Sequence, residues 1–193
     1  MSGAGFHVHG PHDHELEHAA QHGDRDSFSG MIAVTTAIIA TVGALFSYMG
    51  GATQANAGLF KNDAAIKKTE AANQWNFYQA KSSKQNLAEL SIEVVPTEER
   101  KTFYRAEVER YKKEKADIKK EAEKLEAEAK DWDARSESEL HLHHRWAQAT
   151  TALQVSIAMA AIALLTKRKW LERLMFGMAG IGVVLGGLAV AHI

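Results

Sequence analysis

The chain contains no cysteine. That excludes disulfides, thiolate metal sites and cysteine nucleophiles, and leaves the redox compartment open. Between residues 59 and 176 there is also no glycine, and Pro96 is the only proline. Glycine and proline cost a helix interior about 1 and about 3 kcal/mol relative to alanine, so their absence over such a length predicts long uninterrupted helices, with Pro96 as the turn. Charge of one sign is lacking as well. Over residues 59–146, 18 Lys or Arg stand against 18 Asp or Glu, which leaves no net field to attract nucleic acid and excludes it as a partner.

The bulk composition, 46% hydrophobic and 24% charged with a formal net charge of −1, is that of an ordinary soluble domain only because unlike blocks average out. Read block by block, residues 31–51 form a first transmembrane helix, with no charge from Met31 to Met49 and with Tyr48 and Gly50-Gly51 closing it. Residues 147–166 form a second uncharged span and residues 174–191 a third. A cleaved signal is the competing reading of the first span, since Ala55-Asn56-Ala57 resembles a small-residue cleavage site; the acidic, long leader favours an uncleaved anchor. The basic loop 167–173 carries four Lys or Arg. It is expected in the cytoplasm, which by parity places the N-terminus there too and residues 52–146 in the periplasm or outside the cell.

Residues 1–30 are acidic and histidine-rich, and their composition predicts a solvated tail. His14, His18 and His22 recur every four residues, so a helix there aligns three imidazoles on one face, a geometry suited to zinc or another divalent transition metal. A second cluster, His141, His143 and His144, stands beside Arg145 and Trp146 where the long helix enters the second span. It offers a metal or proton-sensing site, against the ordinary reading of an amphipathic interfacial surface.

Residues 52–146 read as a helical hairpin turning at 95–97, with a start signal in Thr97, Glu98 and Glu99. Its length requires Gly58 to lie inside the first helix. On that helix Leu59, Ile66, Asn73, Ala80, Leu87 and Val94 form a strict seven-residue row, expected to be the seam, and its partner row is polar at Asn62, Thr69, Asn76 and Ser83, with Leu90 the first apolar member. On the second helix one column holds Tyr104, Tyr111, Ile118, Leu125, Trp132 and Trp146, interrupted by Glu139. The other holds Val108, Lys115, Ala122, Ala129, Ser136 and His143. The expected fold is therefore all-α: an integral membrane protein with three transmembrane helices and a long antiparallel coiled-coil hairpin.

Trp75, Phe77 and Tyr78 point to several sides of one helix, and Gly182 and Gly186 give the third span a small-residue spacing. These five are the expected oligomer contacts, in the hairpin and in the bilayer respectively. No ionisable residue lies deep in any span, which counts against a proton pump. No nucleophile–base pair, phosphate loop or paired-carboxylate pocket is visible, so no enzymatic activity and no obligatory cofactor are expected.

The acidic His-rich start, the single span, the stretch Gln74, Trp75, Tyr78, Gln79, Ala80 and Lys81, the Lys/Glu helix and the two spans around 167–170 together resemble the bacterial membrane protein family named domain of unknown function 4337. The resemblance covers nearly the whole chain. It implies this architecture and a bacterial inner-membrane address, and no catalytic residues. The expected function is a non-enzymatic, self-assembling membrane scaffold contacting lipid and copies of itself; a metal-binding or ion-conducting homo-oligomer is the alternative.

Overall fold

A computed structural model describes residues 27–191. Three helices account for nearly all of them, and no strand occurs among the described residues: α1 (Ser27–Val94), α2 (Glu98–Thr166) and α3 (Lys169–Val190). The chain divides into two compact units, one of residues 27–46 with Gln148–Ala191, the other of Ser47–Ala147.

In the second unit α1 and α2 pack antiparallel. The His143 imidazole meets the Gly50 carbonyl at 2.8 Å, the Ser136 hydroxyl donates to the Ala57 carbonyl at 2.8 Å, and the Lys115 ammonium lies 5.1 Å from the centre of the Tyr78 ring. Each step forward along α1 in these contacts is matched by an equal step back along α2, in multiples of seven residues. A side chain that reaches the backbone of the facing helix requires axes at the close end of the usual range of about 8–10 Å. The sequence permits this because α1 presents Gly50, Ala57, Ala64 and Ala71, all buried. The same offset sets Ala64 opposite Ala129 and Ala71 opposite Ala122, and these four alanines are between 0% and 2% exposed. A Cβ on Gly50 would stand 3.2 Å from the Trp146 Cβ. The large rings sit beside this seam, with Phe60 and Trp132 centroids 5.5 Å apart.

Both columns expected for α2 face α1: Val108, Ala122, Leu125, Ala129, Ser136 and Trp146 are buried, and the remaining members, Glu139 among them, are half-buried. The seam expected for α1 is corrected. Leu59, Ile66, Asn73, Ala80, Leu87 and Val94 are all exposed, as are Asn62, Thr69, Asn76, Ser83 and Leu90, so no polar seam lies between the two helices. The row that packs runs Gly50, Ala57, Ala64, Ala71, Tyr78, Gln85 and Ile92. It lies two residues out of step with the expected row, which is about 200° around a helix of 3.6 residues per turn. From Gly50 to Ala71 this row is small, which allows the close approach.

The helix boundaries also shift. α1 runs unbroken through Gly50, Gly51 and Gly58, with Gly50 held under Trp146 rather than ending the helix. It stops at Pro96, whose ring disfavours helical geometry at Val95; the Val95 amide still donates to the Ser91 carbonyl at 3.0 Å. α2 opens with Glu98 and Glu99 in its first turn, where carboxylates complement the helix dipole. The basic stretch 167–173 is not a loop throughout, because α3 already begins at Lys169. The connection is Lys167-Arg168. Lys167 adopts φ 51° while its amide donates to the Ala163 carbonyl at 2.8 Å, a left-handed closure of α2.

In the first unit, Ile32, Ala160, Ala163, Leu171 and Met175 form a buried cluster. The Ser156 hydroxyl, fully buried, donates to the Met175 carbonyl at 2.8 Å and ties α2 to α3. Leu153 fills the space beside Gly43 and Gly182.

Enlarging the seam tests this packing. Ala71→Leu should destabilise the protein by about 1–3 kcal/mol through overpacking, whereas Ala116→Leu on the exposed side of α2 should change stability by less than about 0.5 kcal/mol. Thermal unfolding of both variants, followed by circular dichroism, checks the contrast.

Candidate functional site

The features that could carry function are the histidines, the aromatic belt, the glycines of α3 and the surfaces left uncovered. His14, His18 and His22 lie outside the described residues. His141 is exposed on α2. His143 is half-buried against α1, and because the Gly50 carbonyl can only accept, Nδ1 carries the hydrogen. The His144 ring stands 5.7 Å from that of His143, centre to centre. Among the described residues, no three His, Cys, Asp or Glu side chains gather in an arrangement able to hold a metal ion. His143 serves the helix pair instead, as a cross-helix hydrogen bond one heptad from Ser136.

The aromatic belt is divided between two faces. Trp75 is half-buried, and its indole N–H donates to a Glu126 carboxylate oxygen at 2.8 Å across to α2. Tyr78 packs edge-on against Trp75, with ring centres 5.6 Å apart, and receives the Lys115 ammonium. Phe77 alone of the three is exposed, at 58%. The expected oligomer contact at Trp75 and Tyr78 is thus largely taken up within the chain, because α2 supplies both a hydrogen-bond acceptor and a cation.

Gly182 and Gly186 are likewise buried within the first unit. A Cβ on Gly182 would come within 2.6 Å of Leu153 Cδ2 and 3.2 Å of the Ala149 carbonyl oxygen, and one on Gly186 would overlap the Phe46 ring. Their close packing is made to α2 and α1 of the same chain, not to a free face.

Charged groups line the edges of the α1–α2 seam. Asp133 accepts from Lys68 at 2.6 Å and from Lys61 at 2.9 Å. Both ammonium groups, Lys68 first, hold its carboxyl below the ordinary carboxylate range, and Asp133 in turn raises Lys61. Lys81 pairs with Glu114 at 2.5 Å and lowers its pKa by hydrogen bonding. These pairs join lysines of α1 to carboxylates of α2 and favour one register, but they lie in open grooves and form no enclosed reaction site.

What sequence reasoning missed is the pairing of hydroxyls with backbone. Ser136 and Ser156, both buried, each cap a carbonyl of a facing helix. The seven-residue column containing Ser136 was a signal for the first; Ser156, in an uncharged span, had none.

The α3 glycines yield a direct test. Gly182→Ala should cost about 1–3 kcal/mol of stability, and combining it with Leu153→Ala should cost less than the two separate losses added together, because the two side chains compete for one space. Thermal unfolding in detergent of the single and double variants measures this; strict additivity would mean that Gly182 and Leu153 do not share that space.

No curated protein and no solved structure shows a significant match to the chain. The family model for Domain of unknown function (DUF4337) matches residues 28–192, and the chain belongs to that family.

Proposed function

We propose that the protein is a non-enzymatic, self-assembling scaffold of the bacterial inner membrane. In this reading three transmembrane helices anchor a coiled-coil hairpin made from α1 and α2. The observation that carries it is the outward surface of the first unit. Each of the three helices is long and apolar enough to cross a membrane. Val34, Ile38, Leu45, Leu165 and Val184 are exposed there, an extent of apolar surface that a water-soluble protein rarely shows. Two hydroxyls on the apolar part of α1 are satisfied internally, Thr36 donating to the Ile32 carbonyl at 2.7 Å and Thr41 to that of Ala37 at 2.9 Å, which suits a hydrocarbon surrounding.

The second unit supports scaffolding rather than chemistry. Two helices packed on a seven-residue repeat make open grooves, such as those lined by Lys67, Glu128 and Trp132 or by Arg100, Phe103 and Tyr104, and grooves of this kind do not enclose a substrate. The family resemblance supports the inner-membrane address. Orientation follows from the four basic residues at 167–173, which favour the cytoplasm and set Pro96 on the opposite side.

The absence of cysteine makes this orientation testable with single substitutions. In intact spheroplasts, Glu99→Cys should react with a membrane-impermeant maleimide, and Lys169→Cys only after permeabilisation. The reverse pattern would invert the topology, and labelling of neither variant in membranes or of both in a soluble fraction would remove the membrane assignment.

A further inference from the structure

The exposed face of α1 carries a second seven-residue repeat. Its first row, from Leu59 to Val94, and the row three residues further on, from Asn62 to Leu90, contain eleven side chains and not one charge, on a segment otherwise rich in lysine and glutamate. Choosing the row four residues on instead would bring in Asp63, Glu70 and Lys84, so the uncharged pair of rows defines the stripe. Leu59, Ile66, Leu87, Leu90 and Val94 are 62, 46, 65, 61 and 74% exposed. The positions that face α2, Ala64, Ala71 and Tyr78 among them, fall at the point of the repeat farthest from this stripe. α1 is therefore two-faced, with one face closed by α2 and the other uncovered.

We propose that the uncovered face is a self-association seam, in which α1 of a second copy of this chain packs parallel and in register. The proposal deepens the scaffold reading and rests on it. Spacing at seven residues over five repeats selects a helix as the partner, because only a helix carries the matching ridge. Layer chemistry selects this same helix in parallel. In register, leucine meets leucine at 59, 87 and 90, isoleucine meets isoleucine at 66, valine meets valine at 94, and Asn73 meets its own copy; an asparagine at such a position is a known register device. In the antiparallel alternative Leu87 would face Asn62 and Ile66 would face Ser83.

The flanks agree. In the parallel pair Asp63 faces Gly58, Glu70 faces Ala65 and Lys84 faces Gln79, so no like charges meet. A stripe of about 50 Å by about 10 Å on each copy covers about 1,000 Å² in total, which reaches the size that a specific interface requires. Phe77, exposed on the rim of this stripe, lies next to Ala72 of the second copy, which gives the belt its one outward contact.

The test uses full-length protein in its membrane, with Ile66→Cys, Leu87→Cys and, as an outward control on α2, Lys119→Cys, each the only cysteine present. A disulfide forms only where Cα atoms approach to about 4.4–6.8 Å. Mild oxidation should convert the Ile66 and Leu87 variants to covalent homodimers, identified by mass, in yields at least about tenfold above the Lys119 variant. Adding Leu87→Lys and Leu90→Lys to the Ile66→Cys chain should lower its yield about tenfold, since like charges would then meet across the seam. Homodimers at Lys119 but not at Ile66 or Leu87 would overturn the seam while leaving self-assembly intact. A disulfide adduct to a different protein would overturn the choice of partner. Monomer in all variants, together with monomer mass for the unmodified protein in mild detergent, would remove both the seam and the scaffold reading.

Discussion

Between Gly50 and Ala71 on α1 and Ala122 and His143 on α2, the two helices approach so closely that the Ser136 hydroxyl and the His143 imidazole reach backbone carbonyls across the seam. On the α1 side of those layers the facing row is glycine and alanine. This one steric condition places the bulky residues. Phe60 and Trp132 flank the seam, Trp146 covers Gly50, and Leu59, Ile66, Leu87 and Leu90 are left on the far side. Packing at this distance derives its stability from dispersion contacts and from backbone-directed hydrogen bonds rather than from a thick apolar layer. α1 stays continuous for 68 residues through five glycines, each of which would cost about 1 kcal/mol relative to alanine in an isolated helix.

The course of the chain was largely legible in the sequence. Three helices, a reversal at Pro96, the run of α2 without a break into an apolar segment, and both packed columns of α2 follow from the distribution of glycine, proline and large apolar residues. The face of α1 that packs was not legible. Leu59, Ile66, Leu87 and Val94 dominate any reading by hydrophobicity, whereas Ala57, Ala64 and Ala71 carry little apolar area and read as filler. What decides between the rows is distance, and the distance is set by α2, whose small column of Ala122, Ala129 and Ser136 gives room only to small partners.

The same condition relocates the candidate functional residues. Gly182 and Gly186 serve approach within the chain, where Leu153 and Phe46 fill the space a Cβ would take. Trp75 and Tyr78 are engaged by Glu126 and Lys115. His143 is occupied by a carbonyl of α1. Gly182, Gly186, Trp75, Tyr78 and His143 are therefore parts of the chain's internal packing. Among the described residues, the apolar exterior of the first unit and the uncharged stripe of α1 remain uncovered.

The central claim is the register of α1 on α2, and an engineered intrachain disulfide tests it most directly in this cysteine-free protein. Ala64→Cys combined with Ala129→Cys should close within the chain under mild oxidation, because the offset that joins Ala57 to Ser136 brings these positions opposite each other. Ile66→Cys combined with Ala129→Cys should form no intrachain bond. Efficient closure of the Ile66 pair and none of the Ala64 pair would contradict the account, since it would put the leucine and isoleucine row between the helices and the alanine row outside.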